Sequence, residues 1–320
     1  VVNDLVSICG STGQTRPYKG LINAVLRKAV ADVSGKWDKS PVQMMPKWLR
    51  NPLREAYGNG TVMAMETAHM RGAPVDLTVS ADPQEWAEKL SGTVLPNGSV
   101  RLNDIGQISI LPGFEDGKWW VQDAAASWPA SWLALQAGET VLDVCAAPGG
   151  KTMQMALSGA VVTSLDISSK RMERVAENLV RTKLEADLVV ANVLDWQDDR
   201  QFDAVLLDAP CSATGTIRRH PDLPFAKDGT GITELIGLQA EMLAAAARRV
   251  KPGGRLVFCT CSLIPDEGEV HAENFLNAQK DFVVDTSVPE GMQAEWRSDE
   301  GGYRLRPDYW GELGGMDGFY

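Results

Sequence analysis

Two cysteines stand in short polar loops that follow apolar runs. Cys211 lies in Asp208-Ala-Pro-Cys-Ser-Ala-Thr-Gly215, and Cys261 in Cys259-Thr-Cys-Ser262. Thiolates form and break covalent bonds with carbon readily, and Asp208 adds a carboxyl suited to moving or sharing a proton. A third loop, Cys145-Ala-Ala-Pro-Gly-Gly-Lys-Thr152, is a glycine turn. It fits neither phosphate-binding pattern, because Cys145 stands where a P-loop needs glycine and the G-x-G-x-x-G spacing is missing. A nucleotide triphosphate is therefore disfavoured. Small residues at such a turn let a ligand approach the backbone, and a helix N-terminus beyond it offers amide donors to a carboxylate such as the methionine end of S-adenosylmethionine. Lys151 adds a positive charge there. In the fourth loop, Asp166 can accept the hydroxyls of a ribose, or it or Ser168 can cap the helix that follows.

These loops meet only if the strands before them run parallel, since ligands of an open parallel sheet sit beyond the strands' carboxyl ends. The pattern predicts such a sheet. Apolar runs at 140–145, 161–165, 188–190, 202–207 and 255–259 alternate with helical stripes at Met172, Val175, Ala176, Leu179 and Val180, and at Leu235, Leu238, Met242 and Leu243. Lys251-Pro-Gly-Gly254 is expected to end the second helix. Residues 41–120 read as a small α+β domain of short elements broken by Pro46, Pro52, Gly58 and Gly60, with a strand over Pro74–Val79. Residues 1–40 read as helical, with Leu21, Ile22, Val25, Leu26 and Ala29 on one stripe. The expected domains are thus 1–40, 41–120 and 121–320, the last an α/β, Rossmann-like catalytic domain.

The composition of the 320 residues is that of an ordinary globular protein, with 44% hydrophobic and 23% charged residues. No run approaches the roughly 20 apolar residues of a membrane span, and no signal peptide is legible, so a cytoplasmic protein is expected. Five cysteines spread over the chain suit reduced thiols rather than a disulfide framework, and with three histidines they support no metal site. A net charge of −11 opposes a nucleic-acid partner, but residues 1–60 hold nine Lys and Arg against four acids. A basic segment on an acidic body is compatible with RNA contact at one face, and equally with a solvated surface. A monomer is the default expectation.

Residues 110–280 resemble the bacterial Sun/Fmu branch of the NOL1/NOP2/Sun family of RNA cytosine-C5 methyltransferases. The resemblance is carried by Cys145–Thr152, Asp208–Gly215, Ile217-Arg-Arg-His-Pro-Asp222 and Thr260-Cys-Ser262. It implies S-adenosylmethionine held by Cys145, Ala146, Ala147, Pro148, Gly149, Gly150, Lys151, Asp166, Asn192 and Asp208. It implies RNA as partner, 16S ribosomal RNA foremost, with Arg218, Arg219 and His220 as RNA-facing candidates. Val1–Val33 resembles the last part of a NusB-type RNA-binding domain, and Asp317-Gly-Phe-Tyr320 a terminal strand pattern that normally continues, so the chain looks truncated at both ends. Asn192 departs from the acidic residue usual after the third strand, with Asp195 three positions on.

C5 of cytosine is a poor nucleophile until a thiolate adds at C6, and a hydrogen bond from Asp208 to N3 would favour that addition. The residues alone leave open which cysteine attacks. The resemblance implies Cys261 as nucleophile and Cys211 as the residue that helps release the product. Cys259 reads as a buried small hydrophobe and Cys145 as a core side chain whose backbone lines the cofactor. The target base must be unstacked to reach them. The alternatives are a transfer RNA substrate, a methyltransferase acting on protein or a small molecule, and a catalytically silent RNA-binding assembly factor.

Overall fold

Residues 2–33, 39–103 and 105–320 are described by the structure, a computed structural model. Lys36 and Asp38, counted above in the basic segment, lie outside them. The chain divides into two compact units, residues 1–43 and 44–320. In the first, α1 (Val2–Ser11) and α2 (Lys19–Val33) join through a turn in which Thr15 Oγ1 donates to the Cys9 carbonyl at 2.8 Å. Leu5, Ile8, Leu21, Val25 and Val30 of these helices are exposed.

The second unit begins with α3 (Lys47–Met70), where the sequence predicts short broken elements. Pro46 precedes the helix, and Pro52, Gly58 and Gly60 sit inside it. Leu49, Leu53, Val62 and Met65 are fully buried with Ile217 and Leu263, and that packing outweighs the propensity of Pro52 and Gly58. Gly58, at φ +81°, takes up the misfit as a kink. There follow β1 (Val75–Val79), α4 (Pro83–Leu90), β2 (Thr93–Val94), β3 (Val100–Leu102) and β4 (Trp119–Val121), which form an antiparallel sheet of order β2-β3-β1-β4. β4 spans the 120/121 division expected from the sequence.

After α5 (Ala124–Trp132) come β5 (Thr140–Val144), α6 (Gly150–Leu157), β6 (Val161–Asp166), α7 (Ser169–Thr182), β7 (Asp187–Val190) and β8 (Phe202–Asp208). The short α8 (Leu223–Ala226), then α9 (Ile232–Ala247), β9 (Val250–Cys259) and α10 (Glu269–Ala278), complete the order. The five strands form one parallel sheet, β7-β6-β5-β8-β9, as the apolar runs predict. Val141, Leu142, Val144 and Ala204–Leu207 are 0% exposed, the continuous burial of strands covered on both faces. Each such Val or Leu contributes about 1.5–3 kcal/mol by leaving water.

α7 starts where Ser168 Oγ accepts the Arg171 amide at 3.3 Å and stops at Lys183, whose φ is +58°. The Lys251–Gly254 breakers do not end α9, which already stops at Ala247. They bulge out of β9, between Val250 paired to Phe202 and Arg255 paired to Ala204. No helix among the described residues is long and apolar enough to cross a membrane.

Candidate active site at the carboxyl ends of the strands

Parallel pairing of β5, β6, β8 and β9 brings their four following loops to one end of the sheet. At the end of β5, Cys145 adopts φ +63°, and the chain turns through Ala146, Ala147 and Pro148 to Gly149 at φ +100°. Gly149 is the N-cap of α6, so the amides of Gly150, Lys151 and Thr152 have no acceptor within the helix. The loop is tied to its neighbour. Ala146 N donates to the Leu165 carbonyl at 3.1 Å, and Ala147 N to Asp166 Oδ2 at 3.3 Å. Asp166 Oδ1 accepts from Ser168 N at 2.9 Å and from Arg171 Nη2 at 2.8 Å. Ser168 is the helix cap and Asp166 steadies it, while the Arg171 guanidinium over Asp166 is more than half exposed.

Lys151 turns away from the helix N-terminus. Its Nζ donates to Asp208 Oδ2 at 2.7 Å, and it lies 5.1 Å from the centre of the Phe319 ring. Burial pulls the Lys151 pKa down, but Asp208 and the other acids around it outweigh this and raise it, so the ammonium stays charged. Asp208 meets Cys259 Sγ at 3.6 Å through its other oxygen. Burial and the Asp208 charge push that thiol well above its usual range, and burial and Asp208 push Cys145 up to about 12. Cys259 is buried, in line with its reading as a small hydrophobe.

The two remaining cysteines are partners. Cys211 Sγ and Cys261 Sγ lie 3.5 Å apart, and both are partly exposed. The hydrogen bond with Cys261, reinforced by burial, raises the Cys211 pKa well above the ordinary thiol value. That shift favours the protonated form of Cys211, and either sulfur of the pair can donate to the other. The two loops also touch through backbone, with Gly215 N donating to the Cys261 carbonyl at 2.9 Å. A Cβ on Gly215 would fall 1.9 Å from the Gly318 carbonyl, so only glycine lets this contact form.

Not every candidate joins the cluster. Asn192 Oδ1 accepts from Leu194 N at 3.1 Å and its Nδ2 donates to Asp195, a local turn near the end of β7. Arg218 is 4% exposed, which corrects its reading as RNA-facing. Its guanidinium donates to the Gly314 carbonyl at 2.9 Å and is flanked by Asp123 and Asp317, a site closed to phosphate. Arg219, 41% exposed, pairs with Asp317, and His220 is exposed. Asp317, Phe319 and Tyr320, which the sequence presents only as a strand pattern, contact Arg219, Lys151 and Thr260 in turn. Tyr320 pairs in both directions with the backbone of Thr260, beside Cys261. A cavity of about 910 Å³ runs along β9, lined by Trp128, Trp132, Val257, Phe275 and Tyr303. Of the four cysteines in these loops it touches only Cys259. No group of three His, Cys, Asp or Glu among the described residues could hold a metal.

Asp143 lies under the cluster in β5, fully buried, with Oδ2 accepting from Thr152 Oγ1 at 2.6 Å and Oδ1 without a partner. Burial outweighs the Thr152 and Lys151 contributions and pushes its carboxyl up to about 7. The folded carboxyl thus holds its proton to higher pH than the unfolded one, at about 3.9, and folding loses stability as pH rises between the two. Asp143→Asn, neutral throughout, is expected to exceed the parent in stability above about pH 7 by at most about 4 kcal/mol, at 1.36 kcal/mol per pH unit. The gap should shrink as pH falls toward 4. Urea unfolding of both proteins across that range measures it, and a gap independent of pH would contradict it.

The family model described as 16S rRNA methyltransferase RsmB/F matches residues 130–320. A protein of Cronobacter sakazakii named ribosomal RNA small subunit methyltransferase B is 39% identical over 293 residues, 84% of this chain and 67% of the relative. A protein of that name from Shigella boydii is 37% identical over 302 residues, 88% of this chain and 70% of the relative. Among solved structures, a methyltransferase homologue from Pyrococcus horikoshii is 26% identical with a TM-score of 0.68, over 84% of this chain and 91% of its own. NSun6 from the same organism, 17% identical with a TM-score of 0.71 over 87% and 97%, shares the fold.

Proposed function

Since the chain belongs to the 16S rRNA methyltransferase RsmB/F family, we propose that it methylates C5 of a cytosine in 16S rRNA through a covalent bond between Cys261 Sγ and C6. The observation that carries this reading is the pair of thiols 3.5 Å apart at the carboxyl ends of β8 and β9, with Asp208 on the same rim. A methyltransferase acting on another kind of acceptor has no need of two such thiols.

The residues fit S-adenosylmethionine. Free amides at the start of α6 suit its carboxylate, and Asp166 suits its ribose once the exposed Arg171 swings aside. Asn192, near the end of β7, can hydrogen-bond an adenine. When bound, S-adenosylmethionine supplies an electrophilic methyl group on a sulfonium. The chain supplies the rest. Cys261 adds to C6 of an unstacked cytosine, which makes C5 nucleophilic. Asp208, as the carboxylic acid, gives its proton to N3 during that addition, and the charged Lys151 beside it stabilises the carboxylate left behind. After transfer the C5 proton passes to water, its electron pair re-forms the C5–C6 double bond, the pair of the Cys261–C6 bond returns to sulfur, and N3 returns its proton to Asp208. The Cys211 S–H, within 3.5 Å of the Cys261 sulfur, stabilises that sulfur as it leaves.

Arg219 and His220, exposed after the buried Arg218, are the RNA-facing residues. The enzyme acts in the cytoplasm as a monomer. Mapping 5-methylcytosine in 16S rRNA from cells with and without the protein tests the assignment. One cytosine should lose its methyl group in the deletion strain, and an unchanged map would refute the reading.

A further inference from the structure

Glu267 is 0% exposed, yet its carboxylate reaches both thiol loops at once. It sits in the turn Pro265–Glu267 between β9 and α10. Oε1 accepts from Ser212 N at 2.8 Å and Gln239 Nε2 at 3.0 Å. Oε2 accepts from Ser212 Oγ at 2.5 Å and Ser262 Oγ at 2.6 Å. Ser212 follows Cys211 and Ser262 follows Cys261. The preceding residues are held by the same group of atoms. Gln239 Nε2 also donates to the Pro210 carbonyl at 2.8 Å, and Thr260 Oγ1 to the Glu267 carbonyl at 2.8 Å. His271 Nε2, 2.9 Å from Gln239 Oε1, fixes which way that amide faces.

Each cysteine is therefore gripped on both sides through one buried residue. Burying a carboxylate is costly unless donors satisfy it, and four donors from three elements do so here. We infer that Glu267 is the positioning residue that sets the distance between the Cys211 and Cys261 sulfurs, and so governs both formation and breakage of the bond to RNA. The inference rests on the roles proposed above for the two cysteines. Glu267 touches neither substrate nor cofactor site. Its loss should slow the thiol steps and leave cofactor binding intact.

The test uses the full chain, tritiated S-adenosylmethionine and an in vitro 16S rRNA transcript. For Glu267→Ala, kcat is expected to fall by about 10²-fold, the cost of misplacing reacting groups by about 1 Å. S-adenosylhomocysteine affinity, measured by calorimetry, should stay within about threefold of the parent. In a Cys211→Ala background, where the adduct accumulates, Glu267→Ala should slow adduct formation to a similar extent. Glu267→Gln should recover most of the rate, because the amide keeps one acceptor for Ser212 N and Gln239 while its NH2 donates to the two hydroxyls. Glu267→Asp keeps the charge but is one methylene short, and should not recover it.

A folded Glu267→Ala protein with the parent's kcat overturns the inference. So does loss of S-adenosylhomocysteine binding in step with activity, which marks a purely structural role. If Glu267→Ala does not fold, Ser262→Ala decides. Slowed adduct formation with unaltered S-adenosylhomocysteine binding supports the inference, and unaltered adduct formation overturns it. Methyl transfer by Cys261→Ala would remove the thiol assignment itself, a result independent of any Glu267 variant.

Discussion

Cys261→Ala is expected to reduce methyl transfer to 16S rRNA by a factor on the order of 10⁴–10⁶, the scale on which enzymes respond to loss of a covalent nucleophile. The size follows from the chemistry of the base. Without a bond at C6, C5 of cytosine carries too little electron density to displace a sulfonium methyl, and no neighbouring group can substitute for the missing sulfur. Cys211 is the nearest thiol, 3.5 Å away, but its raised pKa keeps it protonated. The cofactor loops follow β5 and β6, so S-adenosylmethionine affinity should be unchanged in the variant, which separates lost chemistry from lost binding. Tritium transferred to an rRNA transcript measures the rate. Retained activity in Cys261→Ala, together with its loss in Cys211→Ala, would exchange the two roles.

What the sequence reveals here depends on how local the cause is. The parallel sheet is legible because strands covered on both faces must be apolar throughout, and β5, β6 and β8 fall within a residue or two of the runs that predict them. The helix α3 is illegible because Pro52 and Gly58 argue against it locally, while the burial of Leu49, Leu53, Val62 and Met65 that outweighs them is settled by distant residues. The four chemical loops announce themselves by residue type. Their wiring does not. Lys151 reads as a cofactor contact, yet it is committed to Asp208, 57 residues away. Arg218 reads as RNA-facing within a run of basic residues, yet Asp123 and Asp317 enclose it. Glu267, within Asp266-Glu267-Gly268-Glu269, looks like one acid of a solvated turn. Only its contacts with Ser212, 55 residues back, distinguish it from its neighbours.

Cys211→Ala is expected to fail differently from Cys261→Ala, by stopping the reaction after the bond to RNA has formed. In the proposed cycle addition at C6 uses Cys261 and Asp208, both intact in the variant, so its first half should proceed. Release in that cycle requires the Cys261 sulfur to leave carbon, and the Cys211 sulfur lies 3.5 Å from it. The hydrogen bond to Cys261 and burial both raise the Cys211 pKa, which favours the protonated form that can serve as donor. An alanine offers no proton. Turnover should fall by about 10²–10⁴-fold, the usual contribution of a positioned acid or base. Protein and RNA should then migrate together on a denaturing gel in about one-to-one ratio, as expected for a single blocked cycle. The band should require the Cys261 thiol and be missing from the Cys211→Ala/Cys261→Ala double variant. If Cys211→Ala turns over freely and leaves no such band, Cys211 has no part in release, and the sulfur pair is a packing contact.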